Sequence, residues 1–369
     1  MKKIVIFLLF IAISFPKITE AKIWRVNNNP GVVADFASFD AAMTAHAAGD
    51  TIHLEPSSTS YTVSETSIYT NHLQVTIIGN GYFLDQYGNQ GLQQNGLLSV
   101  LSSASGNFIL INSNVKFIGI VFNYPVKLVE YFASPTYYTI SNVYFESCLF
   151  WDNISTENIT YSGAAVSTSG LHFFRNCFRM DASLATGSSL SNFIFENNIC
   201  FGAVTVGYPS TYDQSVIRNN IFKNGFSCRG AYLANNIFTH PFISFSFNTC
   251  VLKNNIFAKP IFQTGSTAEA NNQFGVDMAT VFQDAYFFSP ETASFISEET
   301  PAKLAPGSPA IGAGVPNGAT PVDCGAFGGP NPYKLSGIPA IPAIYELQVP
   351  TLINTGTDMQ INVKSRSNN

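Results

Sequence analysis

The hydrophobic pattern of this chain is a short word repeated along its middle third. An apolar residue and a polar one precede an Asn pair, and two apolar residues close the unit. Phe195-Glu-Asn-Asn-Ile-Cys200, Ile217-Arg-Asn-Asn-Ile-Phe222, Leu233-Ala-Asn-Asn-Ile-Phe238 and Leu252-Lys-Asn-Asn-Ile-Phe257 align without gaps. Phe145 to Phe150 and Phe174 to Arg179 fit with Cys148 and Cys177 under the second Asn. Weaker copies run from Val75 to Tyr82, from Val115 to Phe122 and from Ala270 to Phe274. The words are short, rich in Ile, Val and Phe, bounded by Gly, Ser and Asn, and lack a 3.6-residue period, which predicts strands. The second column reads Cys148, Cys177, Asn198, Asn220, Asn236, Asn255, Asn272. Its steps suit a coil of three short strands and three turns, and are too short for helical repeats of about 34 residues.

Asn inside an apolar strand makes sense at a bend, because it tolerates left-handed backbone better than any residue but Gly. One such bend per coil stacks the amides about 4.8 Å apart, close enough to hydrogen-bond along the axis. The column before the pair then reads Glu146, Arg175, Glu196, Arg218, Ala234, Lys253, a solvent-facing ionic ladder that fixes register.

The ends differ from the middle. Lys2 and Lys3, an apolar run from Ile4 to Phe15 and a small residue at Ala21 describe a secretory signal over residues 1–21, too short to span a bilayer. Lys22 to Val26 reads as a first strand. Phe36, Phe39, Ala42, Met43 and Ala47 predict an amphipathic helix over about 35–48 that covers the open first coil. After Pro330, Pro332, Pro339 and Pro342 mark a stiff connection. Ile344 to Val349 and Met359 to Val363 then alternate around Asn354-Thr-Gly-Thr357 as a β-hairpin. The expected organisation is a signal (1–21), a coil region (22–330) and a connection with hairpin (331–369).

Composition sharpens this picture. Charged residues are 11% and Phe numbers 32, which favours one long buried stack over several small globules. The net charge of -5 offers no basic patch, so nucleic acid is not an expected partner. Six Cys in an exported chain permit disulfides, but their places in the repeat favour packing. Cys148 and Cys177 as strand neighbours would make a strained bridge, and Cys200 replaces a core Phe.

A helix ending in Ala-Gly-Asp-Thr-Ile52, followed by coils with an Asn column, resembles the right-handed parallel β-helix proteins of the pectin-lyase-like superfamily. Leu304-Ala-Pro-Gly-Ser-Pro-Ala-Ile-Gly-Ala-Gly314 with Asp323-Cys-Gly-Ala-Phe327 resembles the closing motif of secreted choice-of-anchor Q proteins. Gly312 stands where that motif often carries Asp, and Cys324 where it often carries Ile. The resemblance spans about Ile23 to Pro330. It implies an all-β solenoid and export, and carries over no catalytic residue.

β-Helix enzymes of that superfamily bind sugar chains along one face. Counting onward from the Asn column places Phe150-Trp151-Asp152 over Arg179-Met180-Asp181, then Phe222-Lys223-Asn224 and Phe238-Thr239-His240. Asp152 and Asp181 would then share a column as an acid–base pair of a polysaccharide lyase or glycoside hydrolase. Arg179 would neutralise a uronate, and Trp151, Lys223 and His240 would bind substrate. The simpler reading makes both Asp polar turn residues. The insertions after Phe122 and Phe150 carry Tyr124, Tyr131, Tyr137, Tyr138 and Tyr161, which suit a groove wall or a packed loop. Asn153-Ile-Ser155 and Asn158-Ile-Thr160 match the glycosylation sequon. The five His lack metal-ligand spacing and no cofactor is implied; the Asp152 and Asp181 pair could instead hold a Ca²⁺, although no Ca²⁺ motif is present. The expected function is an exported, monomeric protein that binds or processes a polysaccharide; the rival is a non-enzymatic surface rod.

Overall fold

A computed structural model of the chain describes residues 20–64, 68, 73–84, 97–129, 138–156, 166–184, 189–207, 215–240, 245–259, 267–268, 271–284, 299–350, 356 and 358–367. The signal-like start, Tyr131, Tyr137, Tyr161, the second sequon and most of the predicted hairpin turn lie outside them. Among the described residues the strands form three parallel sheets of 12, 9 and 7 strands, and a separate antiparallel pair. From Val115 to Asn248 each turn of the chain gives one strand to each sheet, except that one turn meets sheet 1 in two pieces, Ser189–Ser191 and Ile194–Glu196. One such turn is Tyr138–Glu146 (sheet 1), Leu149–Phe150 (sheet 2) and Ile154–Thr156 (sheet 3). Neighbouring strands come from successive turns, so the architecture is a parallel β-helix.

Alternation along the strands sorts side chains inward or outward. In sheet 1, Phe117, Phe145, Phe173 and Phe195 point in and stack with ring centroids 5.2–5.5 Å apart. In sheet 2, Phe122, Phe150 and Phe178 form a second stack, which resumes from Phe222 through Phe238, Phe257 and Phe274. Cys200 fills the gap between the two halves, fully buried. Each buried Phe is worth roughly 3–5 kcal/mol against truncation to Ala, so the two stacks hold the coils in line.

Strand pairing corrects the sequence alignment by one residue in one coil. Phe173 pairs with Phe195, Phe174 with Glu196, and Cys177 with Leu149 and Ile199. Asn176, not Cys177, therefore stands under Asn198, and Arg175 stands in the first Asn column. The two columns do different work. The first bends the chain: Ser147, Arg175, Asn197, Asn219, Asn235, Asn254 and Asn271 all have φ between 52° and 76°. The second builds the ladder. The Oδ1 of Asn176 accepts from Cys148 N, and the Oδ1 of Asn198 accepts from both N and Nδ2 of Asn176. The same pair of bonds repeats through Asn220, Asn236, Asn255 and Asn272 at 2.9–3.1 Å. The other amide hydrogen donates to a carbonyl of the coil before, as Asn198 does to Phe173 O. Each ladder amide from Asn176 to Asn272 is thereby bonded through both its oxygen and its nitrogen.

The ionic ladder is also rearranged. Glu146 pairs with Lys116 on one side and Arg175 on the other, and Glu196 pairs with Arg218 at 3.1 Å. Phe174 separates the two sets in the strand column. Glu196 is buried rather than solvent-facing.

At the start, helix α1 spans only Phe39–Ala45, with Ser38 accepting from Ala41 N as its cap. It begins later than the periodicity predicts because Phe36 exchanges backbone bonds with Arg25 and Asn27, and Asp35 accepts from Arg25 N. Asp50 ends the segment by accepting from Lys22 N, Trp24 Nε1 and Ala47 N. Phe39, Ala42 and Met43 join the interior with Ile52 and Leu54. At the far end Ala343–Gln348 pairs antiparallel with Asn362–Arg366, one step earlier and three later than the alternation suggests. No described helix is long and apolar enough to cross a membrane.

Candidate functional site

From Val121–Phe122 onward sheet 2 has two-residue strands, so one residue of each points into the core and its neighbour points out. The outward column is apolar: Val121, Leu149, Cys177, Ile199, Ile221, Ile237 and Ile256. Exposed, it would be a sticky stripe along the molecule. The chain covers it with its own later residues. Met278, Val281 and Phe282, then Ala302, Ala310, Cys324, Ala326 and Tyr333, pack on that column as a strap.

The left-handed Asn column, beside the covered stripe, ties the strap down. Asn254 Nδ2 donates to Ala313 O, Asn235 Oδ1 accepts from Val315 N, and Asn219 Nδ2 donates to Asp323 O. Asn197 Nδ2 reaches Ala326 O and Gly328 O. The strap thus retraces the coils from late to early, and it ends on one of the first. Tyr82 N donates to Ser336 O, and the Tyr82 and Tyr333 hydroxyls meet at 2.5 Å. Glu299, fully buried, accepts from Tyr333 Oη and Ser336 N. Burial pushes both tyrosine hydroxyls well above their ordinary pKa, with Glu299 adding to it, so this latch stays protonated on the tyrosines. Sequence reading missed these residues. The second Asn of each pair is recognisable by its ladder, but the first carries no sign that its side chain serves a distant segment.

Next to the strap, at the corner from sheet 2 to sheet 3, a backbone ladder stacks Trp151, Arg179, Phe201, Lys223 and Thr239. Each N–H donates to the coil before, as Arg179 N does to Phe150 O and Lys223 N to Cys200 O. The first four alternate between aromatic and cationic, and Thr239 ends the pattern. The Arg179 guanidinium lies over the Trp151 ring at 4.2 Å, and Lys223 Nζ over Phe201 at 5.3 Å. Trp151 is 36% exposed, and Phe201 packs partly against the strap cluster.

The one-residue correction reaches the two carboxylates. Ile154 pairs with Ala182, so Asp181 stands beside Asn153, and Asp152 beside Met180. Asp181 N donates to Asn153 Oδ1, and Asp181 Oδ1 accepts from Ala203 N at 2.7 Å. Asp152 Oδ1 accepts from Asn153 N. Each carboxylate shapes a turn. Met180, between them on the surface, is 53% exposed, and the next coil carries Gly202 because a Cβ there would meet the Met180 carbonyl carbon at 2.2 Å. His240 follows Thr239 at the same corner; burial, with Lys259 nearby, lowers its pKa. Among the described residues no three His, Cys, Asp or Glu side chains assemble as a metal set.

Comparison with protein-family models, with curated proteins and with solved structures finds no match to this chain.

Proposed function

We propose that this is an exported β-helix protein that binds an extracellular anionic polysaccharide along the Trp151–Arg179–Phe201–Lys223 corner. The observation that carries the proposal is the alternation of ring and cation at one strand spacing, about 4.8 Å. A uronate polymer presents the complementary pattern, an apolar ring face beside a carboxylate at each unit. Arg offers a planar fork for that carboxylate, and the part-exposed Trp151 ring beneath it adds apolar surface against which a sugar ring can pack. Cations already seated over rings are held in place, each by about 0.5–1 kcal/mol, which lowers the entropy cost of ordering them on binding.

Binding is favoured over turnover because Asp152 and Asp181, the proposed acid–base pair, are engaged with turn N–H groups at different levels of the corner. Export rests on the signal-like start, and kinship with choice-of-anchor Q proteins rests on the Leu304–Gly314 and Asp323–Phe327 words. A surface-scaffold role is the second reading. It is favoured by the C-terminal segment, where Val349, Met359, Ile361 and Val363 are about half exposed and suit attachment.

Affinity electrophoresis through gels holding polygalacturonate, alginate or a neutral glucan tests the proposal. Retardation should be confined to the two acidic polymers, weaken with salt, and be lost in the double variant Arg179→Ala, Lys223→Ala. Equal retardation by the neutral glucan, or an unaffected double variant, would overturn it.

A further inference from the structure

Four of the six cysteines have places that the repeat or the strap explains. Cys200 sits in the inner Phe column and Cys177 in the outer apolar column, while Cys148 and Cys324 donate to the Glu146 and Asn254 carbonyls. Cys228 and Cys250 are different. Cys228 is the third residue of the sheet 3 strand Phe226–Arg229, and faces Val206 in the coil before and Phe247 in the coil after. Cys250 lies one turn later, at the corner entering Val251–Lys253 of sheet 1. Both point into the interior cluster, 5% and 0% exposed, and their Sγ atoms are 3.2 Å apart, inside the contact separation of two sulfurs.

The pair crosses a corner. Val251 pairs with Tyr232, so Cys250 stands over Ala231 rather than over Cys228, and the torsional objection to bridging strand neighbours does not apply. A relaxed disulfide has its sulfurs about 2.05 Å apart, so closure needs a shift of only about 1 Å.

We propose that Cys228 and Cys250 form a disulfide that cross-links two successive coils when the chain folds in the presence of a disulfide oxidant. The chemistry balances as thiol–disulfide exchange. The Cys250 thiolate attacks one sulfur of the oxidant, forming a mixed disulfide and releasing one thiolate. The Cys228 thiolate then attacks Cys250 Sγ, the S–S bond closes, and the second thiolate leaves. Two thiols of the protein lose their protons and two electrons, and the oxidant's disulfide becomes two thiols. In the closed corner the hydrogen bond from Cys228 lowers the pKa of Cys250 to about 7 and burial raises that of Cys228 well above the ordinary thiol value, but these shifts belong to the finished contact, and in the open corner either thiol can take the first step. Since both sulfurs are covered in the finished fold, exchange occurs before this corner closes or when it opens. The proposal depends on an oxidant and is independent of any sugar ligand.

The full chain, refolded in a mixture of oxidised and reduced glutathione, then unfolded and alkylated, tests this by intact mass and peptide mapping. The expected product is lighter by two hydrogens than the fully reduced chain, takes up alkylating reagent at four cysteines, and yields a linked peptide joining Cys228 to Cys250. It should unfold at a higher temperature than the reduced protein, and that difference should vanish in both Cys228→Ser and Cys250→Ser. Six alkylated cysteines after folding with the oxidant, a bond between any other pair, or a persisting loss of two hydrogens in Cys228→Ser would each overturn the proposal.

Discussion

Removing a single rung of the Asn ladder should cost far more than its small volume suggests. Asn220 accepts at Oδ1 from Asn198 N and Nδ2 at 2.9 and 3.0 Å, and donates from Nδ2 to Asn236 Oδ1 and Phe195 O at 3.0 and 2.7 Å. All of these groups lie inside the wall, with Asn198, Asn220 and Asn236 at 0% exposure. In Asn220→Ala the Asn198 N–H loses that acceptor where water cannot reach it, at roughly 1–3 kcal/mol, and the three further bonds lost contribute about 1 kcal/mol each. The sum is about 5 kcal/mol, a large share of the roughly 5–15 kcal/mol that holds a typical domain folded. Asn220→Leu restores apolar volume but none of the bonds, so it should not recover the loss. Urea unfolding, followed by circular dichroism and by tyrosine fluorescence, provides the measurement. With a slope near about 3 kcal/mol per M the midpoint should fall by more than about 1 M, and the two probes should agree if unfolding is cooperative. A shift of under about 1 kcal/mol in the Ala variant, or recovery in the Leu variant, would show that packing rather than amide bonding holds this corner.

Two further outcomes follow from the same geometry. Burial works to raise the Glu146 carboxyl, but Lys116 and Arg175 outweigh it and hold its pKa below the ordinary value. Its stabilisation is therefore full above the unfolded value of about 4.3 and fades as pH falls through the lower folded one; Tm measured from pH 7 to 3 should drop less steeply in Glu146→Gln, and an unchanged profile would count against the ion pairs. Gly325 has φ of 86°, and a Cβ there would sit 2.7 Å from Ile237 Cδ1, so Gly325→Ala should strain the strap by about 1–3 kcal/mol. Trypsin should then cut faster at Lys303 and Lys334 while the coils stay intact, and an unaltered cleavage rate would refute the docking described.

The repeat was legible because its Asn pairs recur in a strand context that nothing but a coil explains. The slip at Cys177 shows where such reading stops. Phe173 and Phe174 are both Phe, so the core position is ambiguous, and propensity favours an alignment that keeps Arg out of the left-handed slot. The structure puts Arg175 there with φ of 57°, at a cost of about 1–2 kcal/mol for a residue with Cβ, because its guanidinium then reaches Glu146. Moving that one coil by a residue also moves Asp181 away from Asp152, so a proposed carboxylate pair depended on a single ambiguous Phe. The cation–ring column gains by the same shift, since it brings Arg179 beside Trp151. The strap was visible only as a motif. Its docking partners are Asn side chains some 60 to 130 residues earlier, and no local pattern encodes a contact of that range.

The latch between Tyr82 and Ser336 joins residues separated by about two-thirds of the chain. During synthesis its two halves leave the ribosome at very different times, and every intervening coil must be wound before they can meet. Closing so long a loop is entropically slow, so the final event of folding should be the shutting of this clasp. Until then a finished row of coils would show its greasy outer seam, and a ribosome-stalled or truncated product lacking the last segment would be an aggregation-prone species.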